Sequence, residues 1–172
     1  MFYPKCIRFL GRDACEPVNP GGVASFGVII KDEDSTVISE EHDLVGRGDA
    51  MSNNVAEYTG VLHILKYPSS RPPGRVTIHG DSNLVINQLN GKSGVNKGRY
   101  FPIAIETREL LAHLRERGWQ ISFCWIPRER NEECDRLSKK TAAKQNISVS
   151  SDGEKSCSRP AETQSTIHAW SG

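Results

Sequence analysis

Four carboxylates, Asp13, Glu57, Asp81 and Asp135, stand where a strand ends or a helix begins. Glu57 alone has little chemistry. Beside three other carboxylates it becomes part of an all-oxygen site, the donor set that magnesium prefers, and magnesium keeps several of its waters. Two such ions about 4 Å apart can activate a water and stabilise the leaving 3′ oxygen of a phosphodiester. Clustered negative charges repel one another, so the set gains from binding cations. Each member also has an ordinary structural reading. Asp81 follows a short apolar strand and could simply cap the next helix. Glu57 and Asp135 could complement helix dipoles. Asp13 could be a turn residue.

The elements that must position them are legible in the residue pattern. Cys6-Ile-Arg-Phe-Leu10 reads as a first strand. Cys15-Glu-Pro-Val-Asn-Pro-Gly-Gly22 reads as loop, because two prolines and two glycines oppose regular structure. Val23 to Lys31 is a strong strand, Asp32 to Ser35 a turn, and Thr36 to about Val45 a returning strand. Ser52, Asn53 and Asn54 are all capping types. A helix to about Tyr67 follows, with Val55, Tyr58, Val61, Leu62 and Leu65 at helical spacing. Ser69 to Gly74 ends it. Arg75 to Gly80 is a short strand, and Asn83 to about Leu89 a helix broken by Gly91 to Gly98. Phe101 to Arg117 is a longer helix that turns Ile105, Leu110, Leu111 and Leu114 inward. Trp119 to Ile126 is the fifth strand, with both its tryptophans in the core. Pro127 to Asn131 is a loop, and Glu132 to Lys144 the last helix.

An antiparallel meander followed by strand–helix alternation predicts an α/β fold, a mixed five-stranded sheet with helices on both faces. Residues 1–144 form this domain. Residues 145–172 are serine-rich with few large apolar side chains, and read as a disordered tail.

The net charge of +1 hides a gradient. Residues 1–60 carry −5, residues 61–96 carry +3, residues 97–144 carry +4 and residues 145–172 carry −1. An acidic start and a basic later half suit a cation-gathering site beside a surface that meets a polyanion, although ordinary solvated faces would give the same totals. No apolar run approaches a membrane span. The five cysteines lack zinc-ligand spacing. With no apolar leader in Met1 to Lys5, reduced thiols in a cytoplasmic protein are expected.

Four local sequences occur in order: Cys15-Glu-Pro-Val-Asn-Pro-Gly-Gly22, Asn53-Asn-Val-Ala-Glu-Tyr58, Gly80-Asp-Ser-Asn-Leu-Val-Ile86, and Trp125-Ile-Pro-Arg-Glu-Arg-Asn-Glu-Glu-Cys-Asp-Arg-Leu-Ser138. As a set they resemble type 1 ribonuclease H, most closely its compact archaeal-type branch, over about residues 5–144. The resemblance implies a ribonuclease H-like fold. It also implies endonucleolytic cleavage of the RNA strand of RNA–DNA hybrids, with two Mg2+ ions (Mn2+ as substitute) and products carrying 5′-phosphate and 3′-hydroxyl. Glu57, Asp81 and Asp135 match the second, third and fourth metal-binding carboxylates. In that family the first carboxylate bridges both ions, the second and third hold one, and the fourth helps hold the ion that activates water.

The first carboxylate departs from the pattern. Family members usually read Asp-Gly-x-Cys before the Glu-Pro loop, whereas this chain reads Arg12-Asp13-Ala14-Cys15. Either a bulge or one-residue slip brings Asp13 to the first-ligand position, or three carboxylates face a guanidinium. In the second case the domain would bind hybrid or double-stranded nucleic acid but cleave it poorly.

By the same resemblance, Cys15, Glu16 and Asn19 belong to the loop that meets ribose 2′-hydroxyls. Asn53 and Asn54 match amides that contact the hybrid. Ser52 is placed to offer a hydroxyl to a phosphate at a helix N-terminus, and all three are equally suited to capping. Arg128 and Arg130 are candidates for phosphate contact. The histidine that many members carry in that last loop is missing, and the basic protrusion of bacterial members is reduced to Lys92, Lys97 and Arg99. The expected partners are RNA–DNA hybrid, with double-stranded RNA a further candidate, and the expected state is a monomer with no membrane contact. Met1 lies just ahead of the first strand with no polymerase segment before it, which disfavours a retroelement polymerase domain.

Overall fold

The computed structural model describes residues 14–141 except Pro17. The expected strand at Cys6–Leu10, Arg12 and Asp13, the end of the last helix and the tail lie outside the described residues. In order come strands β1 (Ala14–Glu16), β2 (Gly21–Lys31) and β3 (Val37–Gly48), helix α1 (Asn53–Ser69), strand β4 (Arg75–Gly80), helices α2 (Asn83–Leu89) and α3 (Phe101–Glu116), strand β5 (Gln120–Trp125), and a 3-10 turn at Arg128–Arg130. A final helix, α4, covers residues 132–141.

β1, β2 and β3 form an antiparallel meander with β2 in the middle. β4 and β5 pair in parallel, from Arg75 opposite Gln120 to Gly80 opposite Trp125. The five strands run in mixed directions, as expected, but among the described residues they form two sheets with no ladder between them, where a single five-stranded sheet was expected.

β2 shows why helices cover both faces. Its residues are buried from Gly22 to Ile30, and successive side chains alternate between faces. Phe26, Val28 and Ile30 enter the main core with Tyr58, Val61, Ile64 and Leu65 of α1, Val76 and Ile78 of β4, and Leu111 and Leu114 of α3. Ile29 packs instead against Cys134 and Leu137 of α4. Ser25 Oγ donates to the Ser138 carbonyl at 3.0 Å. Between them, Gly27 lets α4 settle onto the strand backbone: a Cβ there would stand 2.7 Å from the Cys134 carbonyl oxygen and 2.8 Å from Leu137 Cβ.

Three expectations are corrected. Cys15 to Gly22 is not all loop, because Cys15 and Glu16 pair with Ala24 and Val23, and Gly21 and Gly22 already belong to β2. The prolines block only their own positions in a ladder, and the register shift between Gly21 and Val23 absorbs the irregular geometry. On α3, Leu110, Leu111 and Leu114 face the core as expected, and Ile103 takes the place foreseen for Ile105. α1 runs through Pro68 to Ser69, whose Oγ donates to the Leu65 carbonyl at 2.9 Å and supports the last turn where proline has no N–H. Among the described residues no helix is long and apolar enough to cross a membrane.

Candidate functional site

Asp81 leaves the C-terminal end of the parallel β4–β5 pair. Ser82, not Asp81, caps α2: its Oγ accepts from Val85 N at 3.4 Å and its carbonyl from Ile86 N at 3.0 Å. The structural role that the sequence left open for Asp81 is thus filled by its neighbour. Trp125 lies beside it. This tryptophan was expected in the core, but it is 51% exposed and its Nε1 donates to the Asp81 carbonyl at 3.0 Å. Ile121 and Phe123 fill the core from the same face of β5, and Trp125, one pair further, passes beyond it. Trp119 is buried as expected.

Glu57 sits on α1 past the first turn, which holds no acidic residue. Dipole compensation fades beyond that turn, so it is a weak reason for the carboxylate. Glu57 is half-buried between the buried residues Ala56 and Tyr58, and its Oε2 is enclosed by protein. Tyr58 donates its hydroxyl to Gln88 Oε1 at 2.7 Å and stacks on Tyr100 with ring centroids 5.5 Å apart. Burial pushes the Tyr58 pKa up to about 12, with the Glu57 charge acting in the same direction and Arg108 against it.

Asp135 opens α4, where its backbone N donates to the Asn131 carbonyl at 3.1 Å. One oxygen, Oδ1, is enclosed, and the other accepts from Lys139 Nζ at 2.9 Å, one turn along the helix. Lys31 of β2 reaches Glu133 at 2.6 Å and fixes the same turn. Burial raises the pKa of the adjacent Cys134 thiol far above the ordinary range. Sequence reasoning missed Lys139 and Gly27. The four-residue spacing from Asp135 signals the first, and a glycine inside a strand pattern signals the second.

The substrate-loop candidates form one unit with the start of α1. Cys15 is buried and its Sγ donates to the Val18 carbonyl at 3.3 Å, so its side chain shapes the loop from within. Glu16 pairs with Val23. Asn19 is exposed, and its Oδ1 accepts from Asn53 N at 3.2 Å. Gly21 N donates to the Met51 carbonyl at 3.1 Å. Ser52 Oγ accepts from Val55 N at 3.3 Å, so this hydroxyl caps α1. Asn53 and Asn54 are half-buried, and Arg128 and Arg130 are exposed on the 3-10 turn between β5 and α4.

Glu57, Asp81 and Asp135 offer only carboxylate oxygens, the donor chemistry that fits magnesium. Among the described residues no three His, Cys, Asp or Glu side chains converge closely enough to hold an ion by themselves. Magnesium does not require such a cage, since one or two carboxylates with substrate phosphates commonly suffice.

The family model described as "Reverse transcriptase-like" matches residues 15–141. A bifunctional protein of Mycobacterium tuberculosis is 29% identical over 156 residues, 90% of this chain and 40% of that protein. A ribonuclease HI of Halobacterium salinarum is 30% identical over 125 residues, 73% of this chain and 59% of that one. The chain thus spans less than two thirds of the length of either relative. Among solved structures, the N-terminal RNase H domain of the mycobacterial protein superposes with a TM-score of 0.70 at 26% identity, covering 84% of this chain and 98% of that one. The LC11 RNase H1, in complex with an RNA/DNA hybrid, gives a TM-score of 0.67 at 26% identity, covering 81% and 97%. The ribonuclease H-like fold expected from the sequence is the fold of this chain.

Proposed function

The chain belongs to the reverse transcriptase-like family and is a relative of the type 1 ribonucleases H, and from that premise we propose that it is an endonuclease cleaving the RNA strand of RNA–DNA hybrids. The observation that carries the reading is Asp81 at the end of the β4–β5 pair, relieved of capping by Ser82. Asp81, Glu57 and Asp135 would hold magnesium or manganese together with Asp13. When bound, the two ions would supply activation of the attacking water and charge neutralisation at the leaving oxygen.

The chain's own groups do the rest. Lys139 holds one oxygen of Asp135, whose backbone is fixed in the first turn of α4 by its bond to the Asn131 carbonyl. The loop around Cys15 and Asn19, tied to α1 through Asn53, would present backbone and amide groups to ribose 2′-hydroxyls. Arg128 and Arg130 would draw in backbone phosphates. Cleavage then rests on positioning and charge, with no covalent intermediate.

A labelled hybrid incubated with magnesium or manganese tests this. Expected is RNA-strand cleavage leaving 5′-phosphate, lost in Asp81→Asn; no cleavage with either metal overturns it. A second reading, an impaired hybrid-binding domain, is favoured by Arg12 standing where the first Asp belongs. A strong gain of activity in Arg12→Asp would support that reading. A large loss in Asp13→Asn would instead assign Asp13 as the first ligand.

A further inference from the structure

The end of the domain opposite Asp81 carries a basic groove that the proposed reaction leaves unused. α1 ends there, β4 and β5 begin there, and α3 ends there. A groove of about 440 Å³ is lined by Arg75, Arg115, Trp119, Gln120, Ile121 and Ser122. Arg75 Nε donates to Gln120 Oε1 at 3.2 Å, and Arg115 donates to the Ile121 carbonyl at 3.3 Å. These bonds hold the two guanidinium groups in place and leave their other N–H groups available. Arg71 lies over the Tyr67 ring, 3.5 Å from its centroid, and Arg117 donates to the Ser69 carbonyl at 2.7 Å. None of these four arginines is in an ion pair among the described residues. Residues 58–80 contain no acidic side chain at all. Trp119 forms the groove's inner wall, with its Nε1 buried and lacking an acceptor.

We propose that this groove is a second nucleic-acid site, gripping the phosphodiester backbone of a strand that extends beyond the duplex segment at the carboxylates. Fixed guanidinium forks suit phosphate oxygens. Uncompensated arginines at one end of a nearly neutral molecule favour a polyanion over a protein surface of mixed charge. Arg75, at the start of β4, stands six residue steps from Asp81, roughly 20 Å, so an 8-base-pair duplex centred on the carboxylates, reaching about 14 Å to either side, does not extend to the groove. The inference rests on the hybrid-binding reading above.

The test uses Asp81→Asn protein without divalent metal, a 30-base-pair and an 8-base-pair hybrid, and anisotropy at several salt concentrations. Arg75→Gln with Arg115→Gln should weaken the long hybrid about tenfold and flatten its log Kd against log salt slope by about 2. Binding of the short hybrid should be unchanged, and Arg75→Lys with Arg115→Lys should restore most of the charge-dependent slope. Equal losses on both lengths, or no loss on the long one, overturn the proposal. So does full competition by inorganic phosphate with an unchanged salt slope, which marks a small-anion site. A parent protein that binds neither hybrid sinks the reading of the carboxylate end. The groove is then judged by the Trp119 indole NMR signal against a single-stranded oligonucleotide: a shift that the double variant abolishes supports the proposal, and no shift overturns it.

Discussion

If Asp81 serves the proposed cleavage, two adjacent residues, Asp81 and Ser82, separate function from stability. Ser82 makes the cap of α2, so Ser82→Ala should cost about 1 kcal/mol in denaturant unfolding while the folded fraction keeps its cleavage rate. Asp81→Asn should do the reverse: cleavage falls at least about a hundredfold, with the unfolding midpoint nearly unmoved. Tyr58 supplies a pH signature. Its folded pKa of about 12 lies above the ordinary value of 10.0. As pH rises past 10 the unfolded chain loses this proton first, so the unfolded state binds fewer protons and stability falls. The contribution is fully present below pH 10 and is lost by about pH 12. Urea midpoints at pH 9 and 11 should show a smaller alkaline loss in Tyr58→Phe than in the parent. An equal loss in both proteins would mean that other groups govern the alkaline limb.

Among the elements, α4 depends most on one contact. It carries Asp135, and it lies against β2 at Gly27 with backbone almost touching backbone. Gly27→Ala places a methyl where the Cys134 carbonyl and Leu137 already stand, and should destabilise by about 1–3 kcal/mol. Because the displaced helix bears Asp135, proposed above as a metal ligand, kcat should fall more than KM rises. A thermal melt beside steady-state cleavage checks both, and unchanged values for both would show that α4 sits farther from β2. α1 is held from the other side: Ser52 caps it, and Asn19 in the β1–β2 connection accepts from Asn53 N. The same polar types that suit a phosphate contact therefore already have structural work, and a substrate would meet a loop and helix start that are prearranged.

At the scale of the whole molecule, charge is segregated while the total is +1. The acidic first 60 residues supply β3 and Glu57, and the basic residues gather on the later helices and turns. Arg128 and Arg130 are exposed where β5 passes into α4. Replacing both with glutamine should weaken hybrid binding at low salt by about tenfold and reduce the salt slope by about 2. A slope that stays the same would mean that neither side chain meets a phosphate. The two basic regions lie toward opposite ends of the β4–β5 ladder, so their effects should combine nearly additively.

The sequence by itself determined the element order, because strand alternation, helical spacing and capping residues are local signals. α2 and β4 have the expected bounds, and the apolar residues foreseen on α1 are all buried. It also carried the four motifs that led to the family. The structure shows that Ser82, of the two neighbouring capping types, caps α2, a local choice; longer-range outcomes needed the tertiary fold. The tertiary fold decided that Trp125 lies outside the core with its indole N–H on the Asp81 carbonyl, and that α4 approaches β2 at Gly27. These outcomes depend on contacts between residues up to about a hundred positions apart in the chain, such as Gly27 with Leu137. Local propensity does not encode such contacts. A tryptophan at the end of a strand has the same intrinsic preference whether the core reaches it or stops one residue short.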